Sequence, residues 1–137
     1  MVWGAPFSFP RYDGKITINM GPDAFDDPRN YEVSSGRRVG EIFIHELVHA
    51  CQIAHTRDLS LMGEALSAKL CEAAGADPYL YGSADQDYTE LNLEQQAQIV
   101  QDWFAGNKTP FGQTGIPKDR TSPFFHYFPD NVWVGVF

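Results

Sequence analysis

The chain has 137 residues, enough for a single domain over residues 1–137 that buries roughly two thirds of its unfolded surface. Hydrophobic residues make up 43% of the chain and charged residues 20%, which is typical of globular proteins, and no apolar run approaches the roughly 20 residues of a membrane-spanning helix. The net charge of −8 argues against a nucleic-acid partner, because the phosphates would repel an acidic protein.

The N-terminal segment has the pattern of a β-hairpin. Strands are predicted over residues 7–12 and 15–20, joined by Asp13-Gly14, a dipeptide typical of type I′ turns. Apolar and polar residues alternate in the second strand, so we expect one of its faces to be buried. Pro10 favours an edge position for the first strand. The second strand is expected either to line a cleft and bind an extended peptide by strand addition or simply to form part of the sheet.

Three helices are expected after a loop over residues 21–33. They are predicted over residues 39–54, 60–74 and 93–105. Apolar residues cover nearly the whole circumference of the first helix, so it should be central and buried. Asn92 is a suitable N-cap for the third helix, which Gly106 should end. The proline-rich tail from residue 107 is expected to be irregular, apart from a short strand over residues 132–136.

The first helix carries an H-E-x-x-H motif, His45-Glu46-Leu47-Val48-His49. Residues four apart lie on the same face of a helix, so both imidazoles can reach one zinc ion at about 2.0–2.1 Å. Glu46 lies beside the first histidine, in the position of the general base of metallopeptidases. Unpaired polar groups in a buried helix are costly, and a metal ion would supply the missing partner.

A zinc site needs a third protein ligand, and the spacing of residues leaves several candidates open. His55 would nearly complete the metzincin pattern H-E-x-x-H-x-x-G-x-x-H, but Gln52 stands where that pattern has glycine. Gln52 favours a continuing helix, which carries His55 roughly 240° away from His49. His55 is therefore better interpreted as a polar residue near the helix C-terminus. The acidic candidates, which spacing does not separate, are Glu64, Glu72, Glu90 and Glu94.

Two segments of the chain together resemble one group of zincins. The first segment matches H-E-L-x-H-x-x-Q through Gln52, and the second matches its downstream pattern at Asn92, Glu94-Gln95-Gln96-Ala97, Ile99, Asp102 and Phe104. This pair of patterns resembles the zinc metallopeptidase toxin domains at the ends of bacterial VgrG spike proteins and Rhs-type proteins. Trp103 stands where those domains have tyrosine, and Cys51 where they have an aromatic residue.

The resemblance implies that Glu94 is the third zinc ligand beside His45 and His49, with Glu46 as the catalytic base of a gluzincin-type endopeptidase. The expected fold is zincin-like α+β, with a small antiparallel sheet packed on the central motif helix and two further helices. The resemblance also implies an antibacterial effector of type VI secretion that cleaves a protein or peptide and has a cognate immunity protein. No signal peptide is visible, so we expect export by another route, with action in the periplasm of a target cell, or else a cytoplasmic protein.

The alternative hypothesis is a catalytically silent, zincin-shaped domain that binds a partner. The intact glutamate of the motif argues against it, because degenerate zincins often lose that residue. Asp102 is expected either to orient a ligand imidazole or to lie solvated on the helix surface. Cys51 and Cys71 are expected to be two buried thiols or one bridge between helices. The candidates for a second electrophile that stabilises the oxyanion are Tyr88, His126 and Tyr127.

Overall fold

The structure, a computed structural model, describes residues 6–10, 13–24, 26–27, 40–55, 74–106 and 120–137. These residues form a small α+β fold with a two-stranded antiparallel sheet and three helices. The elements are β1 (Phe7–Pro10), β2 (Ile16–Asn19), α1 (Glu41–His55), α2 (Leu93–Ala105) and α3 (Tyr127–Asp130), with 3₁₀ turns at Pro22–Ala24, Tyr88–Glu90 and Val132–Val134. The helix predicted over residues 60–74 lies outside the described residues, apart from its last position. No helix in the described ranges is long and apolar enough to cross a membrane.

The hairpin forms where the sequence predicts it, but its turn differs. Pairing runs from Phe7 opposite Asn19 to Pro10 opposite Ile16, which leaves five residues between the strands. A two-residue type I′ turn requires positive φ at both central positions, and here only Gly14 has one, at 78°. The side chain of Asp13 instead accepts a hydrogen bond from the backbone N–H of Lys15 at 3.2 Å. This local Asx-type bond favours the longer turn, so the type I′ prediction was wrong.

The hairpin packs against the beginning of α1. Met20, Ala24 and Ile42 form a buried apolar cluster, and Ile18 and Phe43 pack against it. Phe7 and Phe9 of β1 remain exposed, at 47% and 44%. One face of the hairpin is thus held against the helix, and the phenylalanines lie outside the described core.

Helix α1 begins at Glu41, two residues later than predicted, because Gly40 has φ +79° and is not helical. The buried side chains of α1 are more polar than the composition of the helix suggested. Leu47 is 39% exposed, whereas Glu41 and Gln52 are fully buried. Buried polar side chains need hydrogen-bond partners, and α2 supplies them, so polar contacts are built into the packing of the two helices.

Helix α2 has the predicted boundaries, Leu93–Ala105. The side chain of Asn92 accepts a hydrogen bond from the Gln95 backbone, and the side chain of Gln95 accepts one from the Asn92 backbone, which completes a capping box. Gly106, with φ +85°, ends the helix. These caps fix where α2 begins along the chain and so place Glu94 in its first turn.

The strand predicted over residues 132–136 was wrong, because Val132–Val134 is a 3₁₀ turn. Gly135 follows with φ +72°, at a point where a Cβ atom would collide with the ring of His55. An extended conformation would remove this close approach of the C-terminal segment to the end of α1. A mainly aromatic cluster, called the aromatic core below, lies beneath this segment and consists of Tyr81, Tyr88, Leu91, Ile99, Phe124 and Tyr127.

Candidate metal centre

The structure brings together three side chains with metal-binding atoms from two helices. His45 and His49 lie one turn apart on α1, and Glu94 lies in the first turn of α2. Glu94 Oε2 is 3.2 Å from Nε2 of His45 and 3.2 Å from Nε2 of His49. The two Nε2 atoms are 3.0 Å apart. The three atoms therefore form a nearly equilateral triangle, close enough to hold one metal ion.

The size of this triangle suits a small divalent cation. Four-coordinate zinc with bonds of about 2.0–2.1 Å separates its ligand atoms by about 3.3–3.4 Å, which is a few tenths of an ångström more than the distances here. Two imidazole nitrogens and one carboxylate oxygen are also a donor set that zinc accepts. Three electron-pair donors this close together repel one another unless a hydrogen or a metal ion lies between them.

The charges of the triad are strongly coupled. Burial works to raise the pKa of the Glu94 carboxyl, but hydrogen bonds from the two imidazoles outweigh burial and hold that pKa well below its usual range. Burial works to lower the pKa of His49, but the hydrogen bond and negative charge of Glu94 outweigh burial and raise it. Because the pKa of His49 is raised, a metal ion at this site would compete with a proton for that imidazole.

Glu46 lies beside the triad and is almost completely buried. Burial raises the pKa of its carboxyl, and the positive charge of the neighbouring histidines and a hydrogen bond from Ser8 lower it in part. The Ser8 hydroxyl on β1 lies 3.0 Å from Oε2 of Glu46 and 2.7 Å from the Glu46 backbone oxygen. A buried carboxylate with a raised pKa can take up and release a proton nearer neutral pH than an exposed one.

Gln52 hydrogen-bonds the ring nitrogen of His49 that does not face the triad. Its Oε1 lies 2.7 Å from Nδ1 of His49, and its Nε2 donates to Oε1 of Gln96 at 2.8 Å and to the Leu93 carbonyl at 3.2 Å. Gln52 is thus a hydrogen-bonding link between α1 and α2, at the position where a metzincin has glycine. Nδ1 of His45 is buried and, in the described part of the structure, has no hydrogen-bond partner.

The other candidates for a third ligand lie elsewhere. His55 is exposed, and its Nδ1 is 2.8 Å from the Cys51 carbonyl. Glu90 is exposed on a 3₁₀ turn and is not part of the triad. Glu64 and Glu72 fall outside the described residues. Among the described candidates, the structure therefore brings Glu94 alone to both histidines of the motif.

The three oxyanion candidates make hydrogen bonds to backbone carbonyls. The Tyr88 hydroxyl donates to the Gln96 carbonyl at 3.3 Å, the Tyr127 hydroxyl donates to the Gln86 carbonyl at 2.7 Å, and His126 Nδ1 is 2.9 Å from the Pro123 carbonyl. Tyr88 and Tyr127 are buried in the aromatic core. Among the described residues, an aromatic side chain that approaches the triad is Tyr79, whose ring centroid is 6.0 Å from that of His45.

Asp102 is fully buried, so the expectation that it is solvated was wrong. It accepts hydrogen bonds from the Tyr81 hydroxyl at 2.6 Å and from Gln98 Nε2 at 2.7 Å. Among the described residues outside the triad, Gln52 hydrogen-bonds a ligand imidazole, at 2.7 Å from His49. Cys51 carries a free thiol, and Cys71 lies outside the described residues.

The sequence interpretation missed the role of Ser8, which is 38 residues from Glu46 and carries no motif signal. It placed Gln52 in the resemblance without a physical role. A signal was present, because Gln52 follows His49 by three residues and therefore shares its helix face. Tyr79 lies in an irregular segment, where no periodicity predicts which way a side chain points.

Three comparisons with known proteins found no relative of this chain. No protein-family model, no curated protein and no solved structure matched it. Function is therefore inferred from the chemistry of the site and from the resemblance of the two sequence segments.

Proposed function

We propose that this chain is a zinc-dependent endopeptidase of the gluzincin type with a zincin-like fold. His45, His49 and Glu94 would hold the zinc ion, and Glu46 would act as the general base. The observation that carries the proposal is the triangle of three ligand atoms, 3.0–3.2 Å apart, with a buried glutamate of raised pKa next to it. A structural zinc site normally has four protein ligands, whereas three protein ligands are typical of a hydrolytic site.

Zinc bound there would polarise a peptide carbonyl and acidify a water molecule. Glu46 would remove the proton of the attacking water and later deliver it to the leaving amine. Its raised pKa suits both steps, since a carboxylate whose acid form has a very low pKa is a weak base and is hardly ever protonated near neutral pH. The Ser8 hydroxyl would hold the Glu46 carboxylate in place. Tyr79, the aromatic residue near His45, is better placed than Tyr88, His126 or Tyr127 to contact a substrate.

We further propose that the substrate is a protein or peptide and that the chain is an antibacterial effector domain. Export through type VI secretion, action in the periplasm of a target cell and a cognate immunity protein belong to this proposal. Its support is the resemblance of the H-E-L-x-H-x-x-Q and E-Q-Q-A segments to toxin domains of VgrG and Rhs-type proteins. The hydrogen bond between Gln52 and Gln96, one residue from each segment, gives that pair of patterns a physical reason.

The first experiment measures the metal content of the purified protein by mass spectrometry, for the wild type and for Glu94→Gln, His55→Ala and Glu90→Gln. We expect about one zinc per chain in the wild type. Glu94→Gln should lose most of it, and the two control variants should retain it, because both lie outside the triad. Absence of zinc from the wild type after reconstitution would contradict the peptidase and favour a silent partner-binding domain.

The second experiment separates metal binding from catalysis. Glu46→Gln keeps the shape of the side chain but removes the base, so it should retain zinc and lose cleavage of a peptide library followed by mass spectrometry. Loss of a catalytic base commonly lowers the rate by about 10²–10⁴-fold. Undiminished cleavage by Glu46→Gln would overturn the assigned mechanism.

A further inference from the structure

We propose that a directional chain of hydrogen bonds, which begins at the backbone carbonyl of Tyr88, sets the tautomer of His49. The chain runs through the side chains of Gln96 and Gln52 and leaves the lone pair of His49 Nε2 directed at the triad. Gln52 and Gln96 are thus positioning residues that prepare a metal ligand. This inference rests on the metal site of the proposed function, but not on the reaction that follows.

The chain of hydrogen bonds has a defined beginning, because a backbone carbonyl can accept a hydrogen bond but cannot donate one. Gln96 Nε2 lies 2.9 Å from the Tyr88 carbonyl, which identifies this end of the Gln96 amide as the NH₂ group. The other end, Oε1, must therefore accept. It accepts from Gln52 Nε2 at 2.8 Å.

The orientation of Gln52 is set twice. Its Nε2 donates to Oε1 of Gln96 and also to the backbone carbonyl of Leu93 at 3.2 Å, so both of its N–H bonds have acceptors. The opposite orientation would place the amide oxygen of Gln52 against two other oxygens in a buried site, which is unfavourable. Its Oε1 is therefore directed at Nδ1 of His49, 2.7 Å away.

An amide oxygen cannot donate, so Nδ1 of His49 must carry the hydrogen. A protonated His49 carries a second N–H at Nε2, which donates to Glu94. When His49 is neutral, its one hydrogen stays on Nδ1, and Nε2 is left with a free lone pair. That lone pair belongs to the atom that lies 3.2 Å from Glu94 Oε2 and 3.0 Å from His45 Nε2. Only this tautomer can bind a metal through Nε2.

Burial keeps water from replacing the hydrogen bonds of Gln52 and Gln96. Gln52 is 0% exposed and Gln96 is 1% exposed, so solvent cannot offer alternative partners that would allow either amide to rotate. The segment around the 3₁₀ turn Tyr88–Glu90 is thereby coupled to the metal site, although its side chains lie outside the triad. A displacement of this turn should weaken metal binding.

The test compares Gln96→Leu with Gln101→Leu. Both glutamines are buried on α2 and hydrogen-bond a residue of α1, but Gln101 bonds to Glu41 at 2.6 Å and is outside the chain that reaches His49. Zinc affinity is measured at one pH by competition with a chromophoric chelator. Gln96→Leu should bind zinc more weakly than the wild type, but by less than the about 10- to 100-fold caused by losing a direct partner of a metal ligand, because the Leu93 carbonyl still orients Gln52. Gln101→Leu should bind zinc like the wild type.

A second variant acts directly on Gln52. Gln52→Leu removes the acceptor for Nδ1 of His49 and should weaken zinc binding about 10- to 100-fold. Folding of each variant is checked by circular dichroism. Equal zinc affinity of folded Gln96→Leu and Gln101→Leu, or of Gln52→Leu and the wild type, would overturn the inference.

The tautomer is also read without metal, by ¹⁵N NMR of the histidine rings at a pH where His49 is neutral. Nδ1 should have the shift of a protonated nitrogen and Nε2 that of an unprotonated one. The reverse pattern would refute the hydrogen-bond chain even if zinc binds. A wild type that binds no zinc but has the Nδ1–H tautomer would instead contradict the proposed function alone.

Discussion

Replacement of Ser8 by alanine should raise the pKa of Glu46. The hydroxyl of Ser8 lies 3.0 Å from the Glu46 carboxylate and 2.7 Å from the Glu46 carbonyl, and its one proton serves one acceptor at a time. A hydrogen bond to a charged group contributes about 1.5–3 kcal/mol, so a shared one should contribute about 1 kcal/mol at the carboxylate. Since one pKa unit corresponds to about 1.4 kcal/mol, the pKa of Glu46 should rise by somewhat less than about one unit.

The direction of this change determines the assay. Burial already raises the pKa of Glu46, and the Ser8 hydrogen bond lowers it, so removing the hydroxyl shifts the ionised form to higher pH. The acidic limb of the pH profile of kcat/KM, which requires the carboxylate, should move upward by the same amount. A ¹³C NMR titration of the Glu46 carboxyl in the metal-free protein measures the pKa without a substrate. Ser8→Thr is the matched control, because it keeps the hydroxyl and suits a strand.

Ser8→Ala should also lower the free energy of unfolding, by about 1 kcal/mol, because the Glu46 carbonyl loses a donor. This loss alone would not show that Ser8 acts on the carboxylate. If the acidic limb and the NMR titration are unchanged in Ser8→Ala, or if Ser8→Thr shifts both to the same extent, the assignment of Ser8 as a positioning residue is refuted.

Three further predictions concern the triad, a cap and the C-terminal turn. Because the pKa of His49 is raised from 6.5 and that of Glu94 is lowered from 4.5, their pairing should stabilise the metal-free protein most between about pH 4.5 and 6.5. The Glu94 contribution is lost as pH falls through its lowered pKa, and the His49 contribution is lost as pH rises through its raised pKa. Urea unfolding across this pH range measures these changes in stability. Zinc affinity should rise with pH, which chelator competition measures. Asn92→Ala removes the capping box of α2 and should reduce the free energy of unfolding, measured with urea, by about 1 kcal/mol. An unchanged free energy of unfolding would show that the cap does not stabilise the helix. Gly135→Ala should lower the melting temperature more than Gly14→Ala does, since both positions have positive φ but only Gly135 lies against a side chain; equal effects would contradict the close contact.

The sequence by itself determined the features that depend on neighbours along the chain. The four-residue spacing of His45 and His49 puts both on one helix face, because the helical repeat requires it. Asn92 and Gly106 predicted the ends of α2 correctly, since capping is a contact between residues one turn apart. The position of the hairpin followed from its pattern, although the length of its turn did not.

Only the tertiary structure decided which distant residues meet at the site. Spacing left Glu64, Glu72, Glu90 and Glu94 equivalent as ligands, and the packing of α2 on α1 is what places Glu94 3.2 Å from each histidine. Ser8 reaches Glu46 because the hairpin packs on α1, and the C-terminal residues turn at Val132–Val134 because they close over the aromatic core. These outcomes depend on many weak contacts between segments far apart in the chain, and a local sequence pattern does not contain them.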